Sequence, residues 1–234
     1  MTIDDRLAAL NWDCIRTDLG KQGWATTGPL LASAECEALI GAYDEDTLFR
    51  STVVMARHGF GRGQYRYFAD PLPRHIKDLR CGLYNRLVPT ANEWRAALGA
   101  SEPFPTAYPE FLERCHAAGQ RRPTPLLLRY GPGDYNCLHQ DLYGELVFPL
   151  QAAFLLSDPC KFEGGEFVLT EQRPRMQSRV HVVPLQAGEA VIFAVNHRPV
   201  RGTKGTYRVT MRHGVSPLRR GSRHTLGIIM HDAA

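Results

Sequence analysis

The sequence predicts an α+β protein, with a mainly helical first half and a β-rich second half. Three observations lead there. Apolar residues recur at helical spacing in several segments before residue 120. After Pro125 that spacing gives way to short apolar runs, many of their residues β-branched or aromatic: PLLLRY, LVFPLQAAFLL, EFVLT, RVHVVPL, EAVIFAV, TYRVTMRH and HTLGIIMH. Turn-forming residues (GPGD, EGG, QAG, RGTKG, RRGS) separate the runs. Six or more short strands punctuated in this way suggest a sandwich or jelly roll.

The helices come first along the chain. In SAECEALIGAY, Cys36, Leu39, Ile40 and Tyr43 fall at i, i+3, i+4 and i+7, and Ser33 is placed to cap the helix. Ile76, Leu79, Leu83 and Leu87 form a second stripe that should end near Pro89, with a separate helix over ANEWRAALG. YPEFLERCHAAG turns Phe111, Leu112 and Cys115 inward and has Gly119 just past its end. Between the helices, FRSTVVMARHGFGRGQYRYF (residues 49–68) alternates around a glycine-rich centre, as a hairpin does. The hairpin carries Arg50, Arg57, Arg62 and Arg66 among Tyr65, Tyr67 and Phe68. Such a ribbon either stacks on bases and meets phosphates or covers the mouth of the core. With 234 residues, no internal repeat and no low-complexity linker, one domain is expected: a helical region (1–124) packed on a β-core (125–234).

Composition narrows the function classes. Hydrophobic residues make up 44% and charged residues 22%, which excludes a disordered chain. No apolar run approaches the roughly 18 residues of a membrane span, and no cationic-then-apolar leader opens the chain. The six cysteines are scattered without a CxxC pair, so free buried thiols and a cytoplasmic location are expected. The net charge of +4 is unevenly spread: Ala190 to His231 contains no Asp or Glu but holds Arg198, Arg201, Lys204, Arg208, Arg212, Arg219, Arg220 and Arg223. Such a segment attracts anions or is simply a solvated basic face.

Chemistry concentrates in NCLHQDLYGELVFPLQ. His139 and Asp141 stand two apart, so in an extended chain both point to one face. A third ligand must come from elsewhere. Most other histidines sit in segments with no partner pattern, and His231-Asp232 are adjacent, which suits a chelate poorly. His213 and His197 remain. His213 ends a strand, whereas NHRPVRGTKG around His197 is turn-rich, so His213 has the firmer support. Two histidines and a carboxylate on one face of an ion leave coordination sites open and suit non-haem Fe(II), with zinc the second choice. Arg223 opens the strand after the RRGS turn, which returns it toward His213. A buried guanidinium there would bind a carboxylate in bidentate fashion, which favours iron with a dicarboxylate cosubstrate.

These motifs carry a resemblance. YGPGDYNCLHQD, FEGGEFVL, GEAVIF and HGVSPLRRGSRHTLGI, spread over residues 125–234, resemble the Fe(II)/2-oxoglutarate-dependent dioxygenases. The resemblance implies a double-stranded β-helix, the jelly roll of that superfamily, which uses Fe(II), 2-oxoglutarate and O2 and releases succinate and CO2. On this chain it makes His139, Asp141 and His213 the metal ligands and Arg223 the partner of the far carboxylate of 2-oxoglutarate. Tyr130, nine residues before His139, matches a cosubstrate-binding tyrosine of the similar prolyl hydroxylase branch. Thr225, two residues beyond Arg223 and on its face if extended, would add another contact. The whole chain also resembles a bacterial group of these oxygenases proposed to modify nucleic acids. Three functions follow from the residues and the resemblance: oxidation of a nucleic acid or its bases, the same chemistry on a protein side chain or small metabolite, and a non-enzymatic jelly-roll binding module.

Overall fold

The computed structural model describes residues 1–100, 102–203 and 205–234. Among the described residues there are five α-helices: α1 (Ile3–Ala8), α2 (Trp12–Gln22), α3 (Ser33–Gly41), α4 (Arg74–Ala97) and α5 (Tyr108–Ala117). Strands β1 (Trp24–Pro29), β2 (Phe49–Val54), β3 (Gly61–Arg62) and β4 (Gln64–Phe68) lie among them. The remainder are β5 (Leu126–Tyr130), β6 (Tyr135–His139), β7 (Leu150–Leu155), β8 (Phe162–Gly164), β9 (Phe167–Gln172), β10 (Arg179–Val183), β11 (Glu189–Ala194), β12 (His197–Gly202), β13 (Gly205–Val215), β14 (Leu218–Gly221) and β15 (Arg223–Ile228).

The larger sheet has seven strands in the order β1-β11-β7-β15-β5-β4-β2. The second sheet runs β10-β9-β13-β6-β3, with β12 also paired to β13, and β14 pairs with β8. The pairings are antiparallel. Residues from β5, β7 and β15 of one sheet and β6, β9 and β13 of the other line a shared cavity. This is the arrangement of a jelly-roll core, in which inner side chains of two sheets face each other.

The chain before residue 125 is not only helical. It supplies β1 to one end of the larger sheet and β2 with β4 to the other. WATTGP shows no apolar alternation and contains Gly28 and Pro29, so the sequence hides β1. An edge strand pairs on one side only, where such residues are tolerated. Helix α4 runs unbroken through Pro89, where two helices were expected. Proline leaves the carbonyl four residues earlier without its amide partner. Burial of Leu83, Tyr84, Leu87, Val88, Ala91 and Trp94 along one face of the helix offsets that loss. Tyr84 stacks with Phe111 of α5 at 5.1 Å and meets Phe148 at 4.8 Å, which welds both helices to the β-core. Ser33 is the first helical residue of α3, and the Ala32 amide donates to the Glu35 carboxylate. Arg6 forks onto Glu35 at 2.6 and 2.8 Å and ties α1 to α3.

The 49–68 hairpin forms and extends the larger sheet through β4 and β5. Two of its arginines are committed to the fold. Arg50 lies 4.5 Å above Tyr67 and donates to the Pro123 carbonyl. Arg66 lies 4.4 Å above Phe49 and donates to the Tyr43 carbonyl and Asp46. The basic carboxy-terminal segment is likewise partly neutralised from elsewhere. Arg198 is buried on Glu171 at 2.6 Å, Arg220 pairs with Glu163, and Arg219 approaches Glu166. Lys204 lies outside the described residues. All six cysteines are free, but Cys14, Cys137 and Cys160 are exposed, not buried as expected. No helix among the described residues is long and apolar enough to cross a membrane.

Candidate active site

Strand pairing brings the sequence-distant candidates together. Antiparallel register sets His213 of β13 opposite His139 of β6, and their rings lie 4.1 Å apart. Asp141 follows two residues after His139, as the HxD spacing requires. His139 Nε2 stands 3.5 Å from Asp141 Oδ1, and His213 Nε2 stands 3.3 Å from Asp141 Oδ2. The three donor atoms lie within 4.8 Å of one another, the one such His/Cys/Asp/Glu group among the described residues. His197 is elsewhere, on β12 opposite Thr210; its segment is a strand hairpin with β13, not the loop its composition suggested.

The donor set fits a divalent ion. Cis donors around an ion with bonds of roughly 2.1 Å stand about 3 Å apart, close to the spacings found here. The His139 Nδ1–H donates to the Cys137 carbonyl at 2.8 Å, so Nε2 is the nitrogen that faces Asp141, donating to it when the ring is protonated and offering its lone pair to an ion when the ring is neutral. Phe193 packs on the His213 ring at 4.7 Å and holds it from behind. Asp141 is only 5% exposed and His213 only 7%, so these two are screened from bulk water, while the His139 side chain is partly exposed.

Two groups that sequence reasoning missed hold Asp141. Gln151 Nε2 donates to Asp141 Oδ2 at 2.7 Å, and the Tyr143 hydroxyl donates to Oδ1 at 2.6 Å. Gln151 had a visible signal: it is the one polar side chain of LQAAFL in β7. Tyr143 had none beyond its nearness to Asp141. Of the neighbours the sequence did suggest, Gln140 donates to the Met211 carbonyl at 2.8 Å and Asn136 lines the cavity.

The electrostatics follow from this packing. Burial alone would raise the Asp141 carboxyl. The hydrogen bond from His139 and the contacts to His213 outweigh it, and the carboxyl sits well below its usual range. For His139, burial opposes the charged form but the Asp141 hydrogen bond prevails, so its pKa rises. His213 moves down through burial and the neighbouring His139. Tyr143 is raised by burial and by the adjacent Asp141 charge, so it remains a donor.

Arg223 sits on β15 opposite Tyr130 of β5, with its guanidinium 5.7 Å from the Tyr130 ring centre. It is 2% exposed, and among the described residues its Nη1 has no hydrogen-bond partner. Burial pushes its pKa down to about 10. The Tyr130 hydroxyl is also buried without a partner, and burial pushes that group up to about 12. Thr225, two residues along β15, is buried and lines the same cavity as Arg223, Tyr130 and the triad. Gly164 and Gly165 are explained by this packing. Both have positive φ, 78° and 65°, and a Cβ on Gly165 would stand 2.9 Å from the Arg223 side chain. The cavity measures about 310 Å³ and opens past Gly59, Phe60 and Leu138. It therefore contains a three-donor cluster at one place and unpaired anion-binding donors at another.

Comparison with known proteins bears on the family and the fold. Residues 63–233 match the family described as "Oxygenase, catalysing oxidative methylation of damaged DNA". An uncharacterized protein of Mycobacterium tuberculosis is 50% identical over 168 residues, which covers 71% of this chain and 72% of the relative. Among solved structures, a Pseudomonas putida prolyl-4-hydroxylase superposes with a TM-score of 0.53 at 18% identity, over 92% of this chain and 96% of its own. An oxidoreductase of the 2OG-Fe(II) oxygenase family from Burkholderia pseudomallei gives 0.54 at 15% identity, over 96% and 93%. These two likenesses concern the fold, and the match over residues 63–233 together with the mycobacterial relative establishes the lineage. The chain belongs to this oxygenase family.

Proposed function

We propose that this protein hydroxylates a C–H bond of a nucleic acid or its bases, with His139, Asp141 and His213 holding Fe(II) and Arg223 holding 2-oxoglutarate. The observation that carries the site assignment is the Arg223 guanidinium, buried and lacking a partner at Nη1 in the cavity that also contains the triad. A buried charge without a partner is unfavourable, so the site favours a carboxylate that reaches it from the cavity. Tyr130 supplies a second free donor beside it, and Thr225 a third polar group on the same face of β15. When bound, the ion together with 2-oxoglutarate and O2 supplies the oxidation, in which one oxygen atom enters the substrate and the other enters succinate as CO2 leaves.

The protein's own residues orient and enclose. Cys137 fixes the His139 tautomer through its carbonyl, and Gln151 and Tyr143 each hold one oxygen of Asp141. Leu126, Leu185, Phe167 and Phe193 wall the cavity with apolar surface, which limits water at the reacting centre. A nucleic-acid substrate is supported by the description of the family and by exposed Arg57, Arg62 and Arg212. Incubation with Fe(II), 2-oxoglutarate and separate pools of oligonucleotides, peptides and metabolites tests the reading. Succinate coupled to a mass gain of one oxygen, or to loss of a methyl group, in the oligonucleotide pool is expected. Coupled turnover confined to peptides or metabolites would refute the substrate, and absence of iron-dependent succinate would refute the chemistry.

A further inference from the structure

We infer that Phe60, backed by His58, is a stacking platform that seats an unpaired base of the substrate strand at the cavity mouth. The inference rests on the nucleic-acid reading above and names the residue that would select the ring. Phe60 is 48% exposed, a large apolar side chain left in water, yet it lines the cavity. The His58 ring lies 5.3 Å from it at 24°, so two flat rings are already stacked at the rim. The loop that carries them is fixed. The Cys137 amide donates to the Phe60 carbonyl at 2.9 Å, and Gly61 then pairs with Asn136 at the start of the β3–β6 contact. Gly61 has φ 132°, and a Cβ there would stand 2.3 Å from the Tyr135 carbonyl oxygen, so this close approach requires glycine.

Charge flanks the rings. Arg57 and Arg62 are exposed, and neither joins an ion pair among the described residues, unlike Arg50 and Arg66 at the base of the same hairpin. Two free guanidiniums beside an aromatic stack match a phosphate backbone carrying bases, because the rings accept any base face and the cations meet phosphates. Asp141 and His213 lie too deep to be reached by a base still stacked in a duplex, so the ring that Phe60 holds is unpaired.

The test is fluorescence anisotropy on the full chain with a labelled single-stranded oligothymidylate about a dozen nucleotides long. The same strand made abasic and a duplex of equal length serve as companions. Phe60→Ala should weaken binding of the base-bearing strand about ten-fold and leave the abasic strand unchanged, and Phe60→Trp should restore it. Arg57→Gln with Arg62→Gln should weaken both strands and reduce the salt slope by about one to two. An unchanged thermal midpoint of Phe60→Ala excludes a folding defect. Equal loss on both strands, or no loss on the base-bearing one, would overturn the platform while leaving the oxidation of nucleic acid in place. Failure of any oligonucleotide to bind, with turnover on peptides instead, would overturn both.

Discussion

Arg223→Met tests the group proposed to hold 2-oxoglutarate. Methionine fills similar length without charge or donors, so the fold of β15 should survive. In the wild type the guanidinium is 2% exposed and lies beside the equally buried Tyr130 hydroxyl. Water does not screen a charge at that depth, so the coupling to a carboxylate should resemble that of a desolvated pair. Truncation of one member of such a pair costs about 2–5 kcal/mol. At about 1.4 kcal/mol per ten-fold, a mid-range loss of about 3 kcal/mol weakens 2-oxoglutarate roughly 150-fold. The same substitution should act in the opposite direction on the protein alone. Without a carboxylate, the wild type has a buried charge that lacks a full set of partners, and an apolar replacement of similar volume is often neutral or stabilising by about 1–4 kcal/mol. Isothermal titration with 2-oxoglutarate gives the first quantity and thermal unfolding the second. At a cosubstrate concentration of about 100 Kd, the wild type should gain about 2.7 kcal/mol and the variant almost nothing. A variant that binds 2-oxoglutarate within about three-fold of wild type would show that Arg223 does not hold it, and the assignment of the cavity would fall.

Three further outcomes are expected. Gln151→Leu removes the 2.7 Å donor to Asp141 Oδ2 and should lower Fe(II) affinity about 10- to 100-fold, measured by competition with a chelator; unchanged affinity would mean that Tyr143 alone suffices. Gly165→Ala adds a Cβ 2.9 Å from the Arg223 side chain at φ 65°, so stability should fall by about 1 kcal/mol or more and 2-oxoglutarate should bind more weakly; a variant with the wild-type Tm and affinity would contradict the packing described. Arg6 holds the Glu35 carboxyl down to about 2, so this pair's contribution to stability is present above the ordinary carboxylate pKa and is lost as pH falls through about 2. The Tm difference between wild type and Glu35→Gln should therefore shrink as the pH is lowered from about 4.5 toward 2, and a difference independent of pH would refute the linkage.

Which parts were legible in the sequence depends on the range of the forces that fix them. His139 and Asp141 could be paired from spacing alone, because the i, i+2 relation is a local property of extended chain. His213 and Arg223 could be proposed because strand and turn signals bracket them, and β13 and β15 do form there. Helical stripes gave α3, α4 and α5, but Pro89 misled, since a local rule predicts a break where tertiary burial holds the helix together. Strand β1 was invisible because the pairing that creates it, with β11, joins positions as distant as Trp24 and Phe193.

The chain by itself determined the β-rich core, the candidate ligand types and the presence of one arginine after a turn, all of which are written in neighbouring residues. Only the folded structure decided that His213 lies opposite His139, that Gln151 and Tyr143 hold Asp141, and that Arg223 Nη1 and the Tyr130 hydroxyl have no partner among the described residues. It also separated the arginines: Arg50, Arg66 and Arg198 bind the fold's own carbonyls, carboxylates and rings, while Arg57 and Arg62 join no ion pair among the described residues. The physical reason is that cross-sheet register and burial join residues far apart in the chain, and whether a charge is neutralised depends on what those distant neighbours are.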